Sequence, residues 1–410
     1  MTKEKVLNNR IYFTLIILAI FIIGRNIPLP LVDIEQSMQE SQFFNTISMA
    51  TGGDIANLSL FAIGLGPYMS TMILWRFITM GDFINEKKMP SRVSDRWKNL
   101  LTLVIASIQS LGMLSNVRFN QQSMSGGKGY WLSLAIVTLI SVAASFLLIW
   151  LGQKNAMHGF GSTTIIILAG IILSWLDLIS EIRYLNPNLL IQNQLFILLF
   201  IFCWIIFIFI GSLFVELSEQ RLPLYRITIS SQFANDSYLP IKLNAAGGLP
   251  IMYALTVMSL PQYLFQGLTL FIPENKVLQY LILHLQMTDP LGVTIYALLI
   301  FGLTIGFAYV NINPRGLTEN LQKSGDYIPN IPSGQPTYKY LYGKVGRMAF
   351  VGATWLTIAT VVPWILALIE PSLSQVSSLV SNVVILVSIT FSILQEVQTV
   401  YIRKQYKSIL

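Results

Sequence analysis

Apolar residues run along this chain in long blocks separated by short polar intervals, and the block at 51–80 is built differently from the rest. TGGDIANLSLFAIGLGPYMSTMILWRFITM opens on Gly52 and Gly53 and turns half polar at Asp54, Asn57 and Ser59. Gly64-Leu65-Gly66-Pro67 then interrupts it before a second apolar run, Tyr68 to Phe77. Glycine loosens the backbone and Pro67 removes a donor, so the pattern predicts a short half-helix over 52–61 followed by a full helix. Irregular backbone at membrane depth persists only where protein or a water-filled cavity surrounds it. The block therefore reads as a pore element, and the chain as a channel or transporter.

A membrane span needs roughly 20 mainly apolar residues. The remaining blocks supply enough for ten spans, at 11–30, 62–82, 99–117, 130–151, 161–181, 193–215, 246–267, 290–311, 346–369 and 377–402. The first is predicted to stay as an anchor, because its apolar run reaches Ile27 and no A-x-A-like site follows. The spans divide five and five around 182–192. This predicts an all-α multi-pass protein of two pseudo-symmetric halves, 1–181 and 193–410, hinged at 182–192 and inverted relative to each other. Two polar intervals are long enough to dock a partner. In 216–245, the alternation Leu224-Tyr225-Arg226-Ile227-Thr228-Ile229 predicts a hairpin. In 312–345, Ile328-Pro329-Asn330-Ile331-Pro332-Ser333-Gly334 predicts a turn-rich tip.

Composition agrees with this picture. The chain is 54% hydrophobic and 11% charged, against about 25% charged in soluble domains. Lys and Arg total 26. With the N-terminus inside, 20 fall on the cytoplasmic side, and only Arg118, Lys128, Arg183 and Lys276 outside. That split predicts both termini inside. The net charge of +7 is mostly this bias. It points to anionic lipid head groups and not to nucleic acid.

Candidate chemistry is sparse. No GxxxxGK[ST] loop occurs, since Gly126-Gly127-Lys128-Gly129 has the wrong spacing, so ATP hydrolysis is not expected. No Ser-His-Asp, HExxH or CxxC arrangement occurs either, and His158 and His284 are far apart. The reading is a non-enzyme with no cofactor and no metal. Cys203 is the only cysteine. Charges inside the spans are Arg25, Arg76, Asp177 and Glu396, mostly near span ends. Ion-coupled carriers place an ionisable group near the midplane, which lowers the reading of a solute transporter with inverted repeats. A scaffold that inserts membrane proteins without a pore would not need an apolar constriction.

Several stretches, in order along nearly the whole chain, resemble the SecY family of protein-conducting channels. The broken block at 51–80 resembles that family's plug and second span. Arg25-Asn26-Ile27-Pro28-Leu29-Pro30 resembles its first-span exit, and Tyr238-Leu239-Pro240-Ile241-Lys242-Leu243-Asn244-Ala245-Ala246-Gly247 the approach to its seventh span. Asn313-Pro314 with Glu319-Asn320-Leu321-Gln322-Lys323-Ser324-Gly325 resembles its long loop before span nine. Val397-Gln398-Thr399 and Gln405-Tyr406 resemble its last-span exit. The resemblance implies a plug over 52–61, including Gly52, Gly53, Asp54, Asn57 and Leu60. It implies a pore ring of Leu65, Met69, Ile167, Met252 and Ile385, and a lateral gate with Arg76 and Asn244 as polar members. Met and Ile side chains can move aside for a passing chain and close behind it.

The sequence departs from the family pattern on the motor-facing side. Pro332 stands where the family loop tip carries a motor-contacting arginine, and 216–245 is short and weakly basic. Leu31 replaces the glycine expected after Pro30. With the short chain, these departures resemble the accessory branch of the family in Gram-positive bacteria. That branch implies passive export of serine-rich glycosylated adhesins across the cytoplasmic membrane, driven by an accessory SecA-type ATPase. The motor would dock on Arg315, Lys323, Pro332 and Lys339. A SecE-like small subunit and further accessory Sec proteins are the implied partners, and a general SecY translocon is the alternative.

Overall fold

A computed structural model describes residues 3–32, 50–55, 57–80, 90–115, 117, 119, 127–184, 194–226, 237–272, 274–369 and 374–406. The helices are α1 (Lys3–Arg25), α2 (Gly66–Met80), α3 (Ser91–Leu114), α4 (Gly127–His158), α5 (Thr164–Tyr184) and α6 (Gln194–Leu217). They continue with α7 (Leu249–Thr269), α8 (Lys276–His284), α9 (Pro290–Ile312), α10 (Pro314–Ser324), α11 (Gln335–Ile369) and α12 (Ser374–Tyr406). The four strands are β1 (Glu219–Pro223), β2 (Tyr225–Arg226), β3 (Tyr238–Lys242) and β4 (Asp326–Tyr327). Among the described residues, five helices are long and apolar enough to cross a membrane by length and composition. Most of the expected hinge, from 185 onward, lies outside the described residues.

One apolar cluster draws on α1, α2, α3, α4, α5, α6, α7, α9, α11 and α12. Some crossings in it depend on glycine. Gly112 of α3 faces the Tyr263 backbone of α7 so closely that a Cβ would collide with it.

The half-helix expected over 52–61 is not there. The described residues of this stretch form turns and one isolated bridge, Pro28 to Ser59. Gly52 and Leu58 adopt positive φ, 72° and 44°. The Asp54 carboxylate accepts the Asn57 backbone N–H at 3.3 Å and the Asn57 Nδ2 at 3.0 Å. Such local bonds compete with the helical ladder. The stretch also pairs with the chain leaving α1: Leu29 N–H donates to Leu58 O at 2.9 Å and Leu60 N–H to Ile27 O at 2.7 Å. The break in the block is real, and Pro67 sits in the first turn of α2, where a missing N–H costs little.

A second apolar cluster unites the two long polar intervals. Leu222, Leu224 and Ile241 from 216–245 meet Leu321 and Ile328 from 312–345, together with Ala308 of α9 and Leu341, Val345 and Ala349 of α11. β1 pairs antiparallel with β3, Glu219 opposite Lys242, while Tyr225 and Arg226 pair with Tyr327 and Asp326 of β4. The antiparallel pairing in this interval joins 219–223 to 238–242; of the stretch 224–229, where a hairpin is expected, Tyr225 and Arg226 pair with β4 instead, and 227–229 lie outside the described residues. Leu222, Leu224 and Ile241 turn inward onto the cluster.

The turn-rich tip expected at 328–334 is present, between β4 and α11, while most of the rest of 312–345 is helical. Asn313, at φ 46°, accepts the Gly316 N–H at 3.2 Å and starts α10 at Pro314, and Gly325, at φ 74°, stops it. This is a full set of start and stop signals. Helix α11 begins at Gln335, before the expected 346, because Leu341, Val345 and Ala349 form a buried stripe at four-residue spacing. Only 325–334 connects the two helices.

Candidate pore, plug and gate

Leu65 lies in the turn before α2, and Met69, Ile167, Met252 and Ile385 lie on α2, α5, α7 and α12. Each is at most 6% exposed, and all five belong to the one apolar cluster. Two glycines show how closely their elements meet. A Cβ on Gly52 would lie 3.2 Å from the Ile167 Cα, and one on Gly248 would lie 3.1 Å from the Ile385 Cα. The 52–61 segment thus crosses α5 at Ile167, and the start of α7 touches α12 at Ile385. Gly52 also opposes Gly170 one turn further along α5.

A buried ion pair fastens that segment. Arg25, the last residue of α1, is 6% exposed and Asp54 is 5% exposed. Arg25 Nε donates to Asp54 Oδ2 at 3.0 Å, Nη1 to the Gly170 carbonyl at 3.0 Å and Nη2 to Ser174 Oγ at 3.2 Å. One planar guanidinium therefore ties the end of α1, the irregular segment and α5 together, which the fork geometry of arginine suits. The sequence reading placed Asp54 in the plug and left Arg25 as a charge at a span end. The available signal was one lone cation at 25 and one lone anion at 54, with no other charge in 11–30 or 51–61. Glu396 is likewise engaged, accepting the Gly161 N–H at 2.9 Å. Leu60 packs half-buried against the core, and Gly53 is pressed against the Ala62 carbonyl.

The two polar residues expected at a gate occupy different settings. Arg76 of α2 is half-buried, with its guanidinium carbon 4.9 Å from the ring centre of Phe307 on α9. Phe307 in turn stacks on Tyr253 of α7 at 5.0 Å. Asn244 is buried, and its Nδ2 donates to the Gly247 carbonyl at 3.1 Å. The two are not hydrogen-bonded to each other. Helix α2 packs against α3 and α7, and α7 also packs against α9, so Arg76 lies where α2, α7 and α9 converge.

Arg315, Lys323, Pro332 and Lys339 are all exposed on the lobe formed by the second cluster. Arg315 lies 3.9 Å from Glu319, one helical turn on. Tyr225 and Tyr327, exposed and stacked at 5.8 Å, lie on the same lobe, and the sequence reading did not single them out.

The SecY family model matches residues 59–394. A relative in Leuconostoc gelidum subsp. gasicomitatum, the accessory Sec system protein translocase subunit SecY2, is 33% identical over 98% of this chain and 96% of its own. The SecY2 subunit of Streptococcus sanguinis is 33% identical over 99% of each chain. Among solved structures, a protein-conducting channel superposes with a TM-score of 0.68 at 16% identity, covering 98% of this chain and 94% of that one. Sec61 from the canine ribosome–channel complex superposes with a TM-score of 0.63 at 14% identity, with the same coverage.

Proposed function

The chain belongs to the SecY family, and from that premise we propose that it is the central channel subunit of an accessory Sec translocon. It is a multi-pass membrane protein. In this reading it crosses the bacterial cytoplasmic membrane ten times with both termini inside, and passively conducts secreted polypeptides, serine-rich glycosylated adhesins among them. An accessory SecA-type ATPase drives it from the lobe carrying Arg315, Lys323, Pro332 and Lys339. A SecE-like subunit and other accessory Sec proteins complete the assembly.

The observation that carries this reading is the placement of the 52–61 segment against α5 at Ile167, with four other apolar residues of the expected ring buried in the same core. A constriction lined only by apolar side chains dewets and stops ions without a rigid door. The segment adds a second seal, held by Arg25. The full-length likeness to SecY2 subunits supports the accessory branch. Deleting 52–61 is expected to raise resting ion conductance in planar bilayers while leaving export partly intact. Replacing Leu65 and Met69 by Asn is expected to raise conductance as well. Wild-type conductance in both variants would overturn the seal.

A further inference from the structure

Four residues that line one crevice beside the start of α7 each carry a polar atom with no hydrogen-bond partner: Glu216 Oε2, Asn244 Oδ1, Ser212 Oγ and Trp355 Nε1. Glu216, Asn244 and Ser212 are at most 8% exposed. All four side chains line one crevice, whose other walls are Val215, Leu356, Val384, Val387 and Ser388. The crevice leaves about 10 Å³ for the centre of a water molecule, which is room for about one water. Leaving buried polar atoms unpaired is costly, so the crevice calls for an occupant.

The atoms select it. Glu216 Oε2 and Asn244 Oδ1 accept only, Trp355 Nε1 donates only, and Ser212 Oγ does either. A metal cation would suit the two acceptors but would face the positive end of the Trp355 N–H. An anion would face the Glu216 carboxylate. A water matches every atom: its protons go to Glu216 and Asn244, and its lone pairs receive Trp355 N–H and Ser212 O–H. Four bonds is within the usual range for a buried water.

We propose that Ser212, Glu216, Asn244 and Trp355 hold a single ordered water that pins the turn leading into α7 to α6 and α11. The pin has a direct companion. Ser388 Oγ of α12 accepts the Gly248 N–H at 2.6 Å and donates to Glu216 Oε1 at 2.7 Å. Between them, Gly247 holds φ 64° and its carbonyl receives Asn244 Nδ2. The turn on which α7 would pivot is thus fixed from α6, α11 and α12 at once. This role rests on the reading of α7 as a gate helix; the water itself does not.

Two measurements test the proposal on the full-length channel reconstituted in nanodiscs. A cryo-EM map resolving waters should show one peak within hydrogen-bond reach of at least three of the four atoms. Ser212→Ala combined with Trp355→Phe should remove it, because the water then loses both of its donors. An empty crevice overturns the proposal, and so does a peak that vanishes when sodium and potassium are replaced by choline, which marks a cation. For the role, Tyr68→Cys with Tyr253→Cys in a Cys203→Ser background reports the closeness of α2 and α7 through disulfide formation. Ser212→Ala and Trp355→Phe should each lower that yield severalfold. A peak in the map with unchanged yields overturns the pivot role and leaves the water. If locking the disulfide does not block export, the gate reading fails while the water stands.

Discussion

Arg25 and Asp54 carry more of the seating of the 52–61 segment than their number suggests. Removing one partner of a buried pair strands the other charge at a cost of about 3–5 kcal/mol. Arg25→Ala and Asp54→Ala are each expected to lower thermal stability in detergent and to raise resting conductance. Because the guanidinium also holds Gly170 O and Ser174 Oγ, Arg25→Ala should be the more severe. Arg25→Met combined with Asp54→Leu should be milder than either single change, since an apolar pair of similar volume removes both desolvated charges. A double variant as leaky and unstable as Arg25→Ala would show that the ion pair is not what seats the segment. Gly170→Leu should raise conductance with both charges intact, because any Cβ at Gly170 collides with Gly52. The expected ring residues came from family resemblance alone, since by pattern Leu65 or Ile385 looks like any other buried apolar residue. The Arg25 clamp was not legible, because its partners lie 29, 145 and 149 positions away and no local pattern joins them.

At the scale of elements, the lobe joins segments that the sequence presents as two separate connectors. Leu341 is fully buried where α11 meets both intervals. Leu341→Ala is expected to cost about 2–5 kcal/mol, as buried leucine truncations do. It should weaken motor binding to reconstituted channel while leaving resting conductance unchanged. Arg315→Ala and Lys339→Ala should leave stability unchanged and weaken motor binding chiefly at low salt, since both side chains are exposed. Equal motor binding by the Leu341 variant and wild type would detach docking from the lobe. The long apolar blocks were readable because twenty apolar residues in a row have few other uses. The lobe was less readable. Its strands run two to five residues, too short for a clear alternation, and β2 finds its partner across the whole of α7 and α9. The 52–61 stretch misled for a related reason: its apolar content suits a helix, yet pairing with 27–29 and the Asp54 turn decide its backbone.

For the whole molecule, the sorting of basic residues predicts which end faces the cytoplasm. Single cysteines at 90 and 120, in a Cys203→Ser background, should label from opposite sides with an impermeant thiol reagent. The substitution at 203 removes the one native thiol of the chain, so that any label reports the introduced cysteines alone. Labelling of both positions from one side would end the ten-span reading. The lobe also has a mechanical consequence. Its shared core and the β2–β4 pairing weld the chain leaving α6, the chain approaching α7, the end of α9 and the start of α11 into one stiff handle. A load placed anywhere on that handle is divided among four shafts at once. Because α7 and α9 are two of them, a push on the lobe is expected to reach both helices together, through the one plate that joins them.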